Sequence, residues 1–255
     1  MDWSDKVVLI TGASSGIGRA LSVELARRGA RAGLLARRED LLQEVVAEIE
    51  THGGKAIALP ADVTDASAVR GAVDTLSQKF GPIDLVIANA GLGPTIAGAK
   101  LEPDGVAKVF SVNVMGVVNC VTAVIPQMLE RGRGHLAVIS SLAAYRGLAK
   151  SAAYCSSKAA VSSLFESLRL DLQPEGIDVT IIHPGFIKTS LTAGRKKKLP
   201  FLMEVDAAAK IMIRAIEKRK KSYAFPWRLA TIVRVGLVMP NFLYDWMARR
   251  NSFRE

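Results

Sequence analysis

Residues Val7 to Arg28 pass from four apolar residues, Val7-Val8-Leu9-Ile10, through Thr11-Gly12-Ala13-Ser14-Ser15-Gly16-Ile17-Gly18 into a helical stretch, Arg19–Arg28. Strand, glycine turn and helix in that order admit few folds. In such a unit Gly12 permits the tight turn, Gly16 lets the backbone approach a pyrophosphate, and Gly18 allows close packing of helix on sheet. The helix N-terminus then presents free N–H groups and a positive dipole end to phosphates. A glycine turn that serves packing alone is the duller alternative, and the order of the three elements weighs against it.

The rest of the chain repeats the theme. Val7–Ile10, Arg31–Leu35, Ala56–Leu59, Leu85–Ala88, His135–Ile139 and Val179–Ile182 are short, continuous apolar runs. Runs of that kind suit strands buried on both faces of a parallel sheet. Between them lie the helical patterns Asp40–His52, Ala66–Phe80, Leu101–Leu129 and Ala153–Leu172; in the first, Leu41, Leu42, Val45, Val46 and Ile49 recur at helical spacing. This alternation predicts right-handed βαβ crossovers and one α/β domain over residues 1–255, a doubly wound parallel sheet of about seven strands with helices on both faces. No composition shift before residue 188 marks a second domain.

Composition narrows the function. The polar start, with Asp2, Ser4, Asp5 and Lys6, predicts no signal peptide. Two cysteines, Cys120 and Cys155, and three scattered histidines, His52, His135 and His183, give neither a disulfide framework nor a metal site. A reducing cytoplasmic setting fits. Residues 188–255 hold 16 Lys+Arg against 5 Asp+Glu, whereas residues 1–187 hold 18 against 19, so the basic excess belongs to the C-terminal quarter. A solvated face, an anionic substrate or an anionic membrane surface would each explain it. No nucleic-acid-reading module accompanies it, and nucleic acid is not an expected partner.

In doubly wound sheets a ligand lies beyond the carboxyl ends of the strands. Gly12, Asn89, Ser140-Ser141 and Pro184 each follow a predicted strand, which places them on one rim. The second strand ends Leu34-Leu35-Ala36-Arg37-Arg38. An acidic residue there would bond an adenosine ribose and favour NAD(H), but Ala36 takes that place. Two guanidiniums follow and suit a 2′-phosphate, so NADP(H) is expected, with Arg37 the nearer contact. Opening the next helix is the simpler role for both.

Tyr154 and Lys158, four residues apart on a predicted helix, share a face. A free phenol has a pKa of about 10, and an ammonium beside it favours the phenolate. That pair can move a proton. Ser141, at the end of a buried strand, can donate to a substrate oxygen where charge develops. Ser140 is chemically identical, and periodicity does not separate the two.

Taken together, Thr11–Gly18, Asp62-Val63, Asn89-Ala90-Gly91, Asn113, Ser140-Ser141, Tyr154…Lys158 and His183-Pro184-Gly185…Thr189 resemble the short-chain dehydrogenase/reductase family from about Val7 to Thr189. The resemblance selects Ser141, thirteen residues before Tyr154, and completes a catalytic tetrad of Asn113, Ser141, Tyr154 and Lys158. It implies that Asn113 kinks a helix and holds a water beside Lys158, and that Lys158 also bonds the nicotinamide ribose. Gly12, Ser14, Ser15, Gly16, Ile17 and Gly18 would hold the cofactor phosphates. Asp62 and Val63 would meet the adenine, although Asp62 could equally fix its own loop before Thr64. Asn89, Ala90 and Gly91 would touch the cofactor, with Ala88 departing from the family's first asparagine. Pro184 and Gly185 would lead to Ile187 and Thr189 at the carboxamide. The implied reaction interconverts a carbonyl and an alcohol in a homodimer or homotetramer built on the helices around Leu101–Leu129 and Ala153–Leu172.

Residues 190–203 fall where the family places its substrate lid. Arg195 to Lys198 could meet an anionic tail, with Leu199, Phe201, Leu202 and Met203 lining an apolar pocket for an acyl- or lipid-like carbonyl. The segment 224–255 is apolar and basic. A helix from Trp227 to Met239 would be about 20 Å long, short of a bilayer's ~30 Å core. It would pack on its own domain, on a partner subunit, or on a membrane surface as an interfacial pair broken at Pro240. A sterol or lipid alcohol dehydrogenase at a membrane is thus a second reading, and a non-catalytic NADPH sensor or scaffold is a third.

Overall fold

Seven strands, β1 (Val7–Thr11), β2 (Arg31–Ala36), β3 (Lys55–Pro60), β4 (Leu85–Ala88), β5 (Gly134–Ile139), β6 (Ile177–Pro184) and β7 (Ser222–Phe225), pair in parallel throughout. Their order in the sheet is β3-β2-β1-β4-β5-β6-β7. The computed structural model describes residues 2–193 and 199–250, the last two by backbone alone. Six strands coincide with the six apolar runs to within two residues at each end. The seventh is a four-residue edge strand behind Lys218–Lys221, too short and half-buried to stand out in the sequence.

Every residue of β1 is buried, because helices cover both sides. Along β1 the side chains alternate: Val8 and Ile10 enter one core, Val7 and Leu9 the other. Helices α1 (Gly16–Arg27) and α2 (Glu39–Thr51) supply Leu21, Leu25, Leu42, Val45 and Ile49 to the first. Helix α3 (Ala66–Phe80) supplies Val69, Val73 and Leu76 to the second. The chain order reverses between β1 and β4, which opens a crevice at their carboxyl ends.

One expectation needs correction. Helix α1 starts at Gly16 rather than Arg19, so Gly16, Ile17 and Gly18 form its first turn. The helical stretch expected over Leu101–Leu129 runs as α4 (Pro103–Phe110) and α5 (Gly116–Glu130), joined by a wide π-helical turn, Ser111–Met115, that contains Asn113. The Asn113 amide is engaged outside the helix, at Leu92 and Ser157, and this accompanies the widened turn. The run Pro103–Glu130 is long and apolar enough to cross a membrane by composition. Here Val117, Cys120, Val121, Val124 and Met128 are buried against the sheet instead.

Helix α6 (Ala152–Leu172) packs beside α5 on that face, and α7 (Val205–Glu217) returns to the other. The chain ends in α8 (Trp227–Val238) and α9 (Asn241–Arg250), which turn at Met239-Pro240. Leu229 and Ala230 of α8 form a small third core with Leu142, flanked by Tyr145, Phe186, Ala224 and Val233. One face of the C-terminal pair therefore packs on its own domain.

Candidate active site

The loops after β1 and β4 are bound to each other. Thr11 Oγ1 accepts from the backbone N–H groups of Asn89 and Ala90, both at 3.0 Å, and the Asn89 amide donates to the Thr11 carbonyl at 2.9 Å. The Asn89 side chain thus joins two strand ends, and its loop offers a ligand mainly backbone. A Cβ on Gly18 would lie 2.7 Å from that amide nitrogen, which is why the first turn of α1 can sit so close. Gly16 has φ +53°, and a Cβ there would come within 3.3 Å of the Thr189 methyl across the cleft. Ser15 caps α1 without a side-chain hydrogen bond, so the first N–H groups of the helix remain open to the crevice. This cradle fits a pyrophosphate.

At the end of β2 the two arginines part company. Arg38 reaches back over the turn, its Nη2 3.3 Å from Ser14 Oγ and 3.4 Å from Ser15 Oγ. Arg37 leans instead towards Asp62, 3.8 Å away. Asp62 Oδ1 also accepts from the Thr64 N–H and hydroxyl, each at 2.9 Å, so the loop-fixing role is realised. Val63 accepts the Asn119 amide on its carbonyl and is buried against Gly116.

Deeper in, Asn113 is fully buried. Its Oδ1 accepts from the Leu92 N–H at 2.7 Å, and its amide donates to the Leu92 carbonyl and to Ser157 Oγ, both at 2.9 Å. Both amide protons are occupied, leaving one lone pair on Oδ1 for a water. Gly91 abuts this group: a Cβ on it would sit 3.3 Å from Asn113 Oδ1 and 3.5 Å from Lys158 Nζ. Lys158 is 6% exposed and donates to the Ile139 carbonyl at 2.7 Å. Burial lowers its pKa to about 8. The ammonium lies 6.0 Å from the centre of the Tyr154 ring, which packs on Gly93.

The two serines separate here. Ser140 Oγ is buried between the Lys158 carbonyl, 3.1 Å, and Ser162 Oγ, 2.8 Å, and so fastens β5 to α6. Ser141 Oγ accepts from the Ala143 N–H at 3.1 Å, which leaves its proton available to a ligand. His183 supports the Ser141 backbone, with Nδ1 3.3 Å from its carbonyl, and burial lowers the imidazole pKa to about 4.

Most of these groups border one cavity of about 600 Å³. Gly12, Ser14, Ser15, Gly16, Ile17, Arg37, Arg38, Asp62, Val63, Asn89, Ala90 and Gly91 line one end; Ser141, Tyr154, Lys158, Pro184, Gly185, Ile187 and Thr189 line the middle. Asn113 and Gly18 are behind the wall rather than in it. The segment expected to form a lid is tied at its far end, where Met203 exchanges backbone hydrogen bonds with Phe186 and Lys188, at 3.0 and 2.9 Å. Arg195 to Lys198 lie outside the described residues.

The far wall is absent from the sequence reading. Leu229, Ile232, Val233 and Gly236 of α8 and Tyr244, Met247 and Ala248 of α9 close the cavity, with Arg146 between them. Arg146 donates to the carbonyls of Gly236 and Met239 and, at 2.8 Å, to Asn241 Oδ1, and its guanidinium stacks 3.7 Å above the Tyr244 ring. The Tyr244 hydroxyl returns to the Gly147 carbonyl at 2.6 Å. The apolar cluster of the tail carried the one usable signal; Arg146 carried none.

Residues 6–200 match the sequence pattern of the family described as short chain dehydrogenase. An uncharacterized oxidoreductase of Myxococcus xanthus is 44% identical over 249 residues, 98% of each chain, and so shares most of the C-terminal segment beyond that pattern. A short-chain type dehydrogenase/reductase from Mycobacterium marinum superposes with a TM-score of 0.79 at 30% identity, covering 88% of this chain and 94% of its own. A 3-ketoacyl-ACP reductase from Sinorhizobium meliloti gives 0.77 at 32% identity, covering 86% and 96%.

Proposed function

This chain belongs to the short-chain dehydrogenase/reductase family of oxidoreductases, which bind NAD(P)(H), and from that premise we propose an NADP(H)-dependent enzyme that interconverts a carbonyl and an alcohol on an apolar, acyl- or lipid-like substrate. The observation that carries the proposal is the meeting of Ser141, Tyr154 and Lys158 in one cavity with an open helix N-terminus and Arg38. A bound nicotinamide supplies or accepts the hydride.

The protein manages the proton. Ser141 donates to the substrate oxygen and fixes it; Tyr154 gives that oxygen a proton as negative charge develops, and takes it back in the reverse direction. The Lys158 charge favours the phenolate left behind. Asn113 positions the Leu92 loop beside Lys158 and keeps an acceptor for a water that would refill the proton. Arg37 and Arg38 select a 2′-phosphate, and Pro184, Gly185, Ile187 and Thr189 face the nicotinamide end. Residues 190–203 act as the lid. The apolar far wall, Leu229, Ile232, Val233 and Met247, supports an apolar substrate.

We place the enzyme in the cytoplasm as a homodimer or homotetramer, joined through the outer faces of α5 and α6, where Leu129 and Leu170 are exposed. The test is NADPH consumption against chain-length-graded aldehydes, ketones and 3-oxoacyl thioesters beside Tyr154→Phe. Turnover that peaks at one chain length and falls by about 10²–10⁴-fold in the variant is expected. Tight NADPH binding without turnover of any substrate would favour a sensor or scaffold instead.

A further inference from the structure

The outer face of the C-terminal helix pair is strongly apolar. On α8, Trp227 is 71% exposed and Val238 85%, with Val235 and Leu237 also at the surface; on α9, Phe242 is 78% exposed and Trp246 58%. The inner face of the same two helices walls the cavity. Among the apolar lining residues, Ile232 of α8 and Leu191 and Phe201 of the segment after β6 are each more than two-fifths exposed. A side chain that lines a cavity and meets solvent stands at its mouth. The mouth therefore meets the apolar face at Ile232.

Charge identifies the occupant. Arg228 and Arg234 flank the apolar residues of α8, and the Arg228 guanidinium lies 5.4 Å from the centre of the Trp227 rings. Asp245 is the acidic residue on the described face of α9. The sequence from 188 to 255 carries 16 Lys+Arg against 5 Asp+Glu, although the remainder of the chain is nearly neutral. Exposed tryptophans among aliphatic side chains, edged by arginine, match the boundary of an anionic bilayer. A second copy of this chain would bring the same positive charge to itself.

We propose that α8 and α9 dock on an anionic lipid surface and that a membrane-dissolved carbonyl or alcohol enters the cavity through that face. The proposal rests on the reductase reading for its substrate, but docking itself does not. Neither helix spans: α8 has 12 residues, about 18 Å. Burying apolar side chains to the headgroup boundary supplies the contact, and each arginine near the surface strengthens it by about fivefold, an effect that salt removes.

The experiment is flotation of the full-length protein with vesicles of phosphatidylglycerol and phosphatidylcholine in equal parts, and of phosphatidylcholine alone, at low and high salt. The comparison protein carries Val238→Glu and Phe242→Glu, neither of which lines the cavity. Expected are retention by the anionic vesicles, weakening in salt, and a loss of about tenfold or more in the variant. Turnover of a short soluble carbonyl should match between the two proteins, which keeps the reductase reading separate from docking. Failure to float with anionic vesicles would overturn the proposal, as would equal flotation of both proteins. A variant that changes the size of the particle in solution, with no vesicle binding by the parent, would assign the face to a second copy.

Discussion

Lys158 Nζ donates a 2.7 Å hydrogen bond to the carbonyl of Ile139, the last residue of β5, so the buried ammonium is fixed to the strand that ends beside Ser141. Desolvation is the cause of its lowered pKa, about 8 against 10.5. Between those values the unfolded chain binds more protons than the folded one. Stability from this group therefore rises with pH through that window, and its cost is complete below pH 8. Lys158→Met should abolish turnover yet raise stability near neutral pH by about 1–3 kcal/mol once the lost Ile139 bond is discounted, seen as a higher Tm. The gain should shrink towards pH 10.5. Thermal denaturation across that range checks it, and a variant less stable than the parent at neutral pH would refute it.

Ser140 and Ser141 make opposite predictions. Ser140 is closed in by Lys158 and Ser162, so Ser140→Ala should cost about 1–2 kcal/mol of stability while kcat stays within a few-fold. Ser141→Ala should leave Tm nearly unchanged and lower kcat by about 10²–10³-fold. Parallel denaturation and steady-state kinetics distinguish them. An activity loss concentrated in Ser140→Ala would reverse the assignment.

Most of the frame was legible in the sequence because a doubly covered parallel sheet writes its strands as unbroken apolar runs. Gly12, Asn89 and Ser141 of the candidate site follow those runs because a doubly wound sheet opens its crevice at the carboxyl ends of the strands. Residue type and periodicity leave Ser140 and Ser141 equal, and the family spacing chooses Ser141; the packing of α6 supplies the physical reason. The resemblance likewise implies a kink at Asn113, and the bonds that accompany it run to Leu92 and Ser157, 21 and 44 residues away. What escaped is the far wall, which depends on Arg146 meeting the carbonyls of Gly236 and Met239, 90 and 93 residues on. No local pattern encodes such a contact.

The arginines after β2 offer a cofactor test. Arg38 already reaches the phosphate turn through Ser14 and Ser15, whereas Arg37 is 68% exposed at its side chain beside Asp62. The sequence alone favoured Arg37; the geometry favours Arg38. Arg38→Ala should weaken NADPH binding by about 10–150-fold with little effect on NADH, since a charged hydrogen bond is worth about 1.5–3 kcal/mol. Arg37→Ala should do less. Fluorescence titration of both nucleotides measures this, and equal losses for NADPH and NADH would dismiss a 2′-phosphate contact.

Arg146 ties the cavity's outer wall to the loop that follows Ser141. Its guanidinium serves the end of α8, the start of α9 and the face of Tyr244 at once, which a lysine ammonium cannot do. Arg146→Met removes all of these and should free α8 and α9 to move off Leu142 and Phe186. For a long apolar substrate KM should rise about tenfold, the equivalent of roughly 1.4 kcal/mol of lost binding. A short carbonyl, which would not reach α8, should keep its KM, and NADPH binding at the opposite end should hold. Amide exchange should quicken across residues 227–248. Arg146→Lys should recover little, because three N–H groups on one nitrogen cannot span acceptors that the guanidinium fork reaches from separate nitrogens. Equal losses on short and long substrates would place Arg146 in the chemistry rather than in the wall.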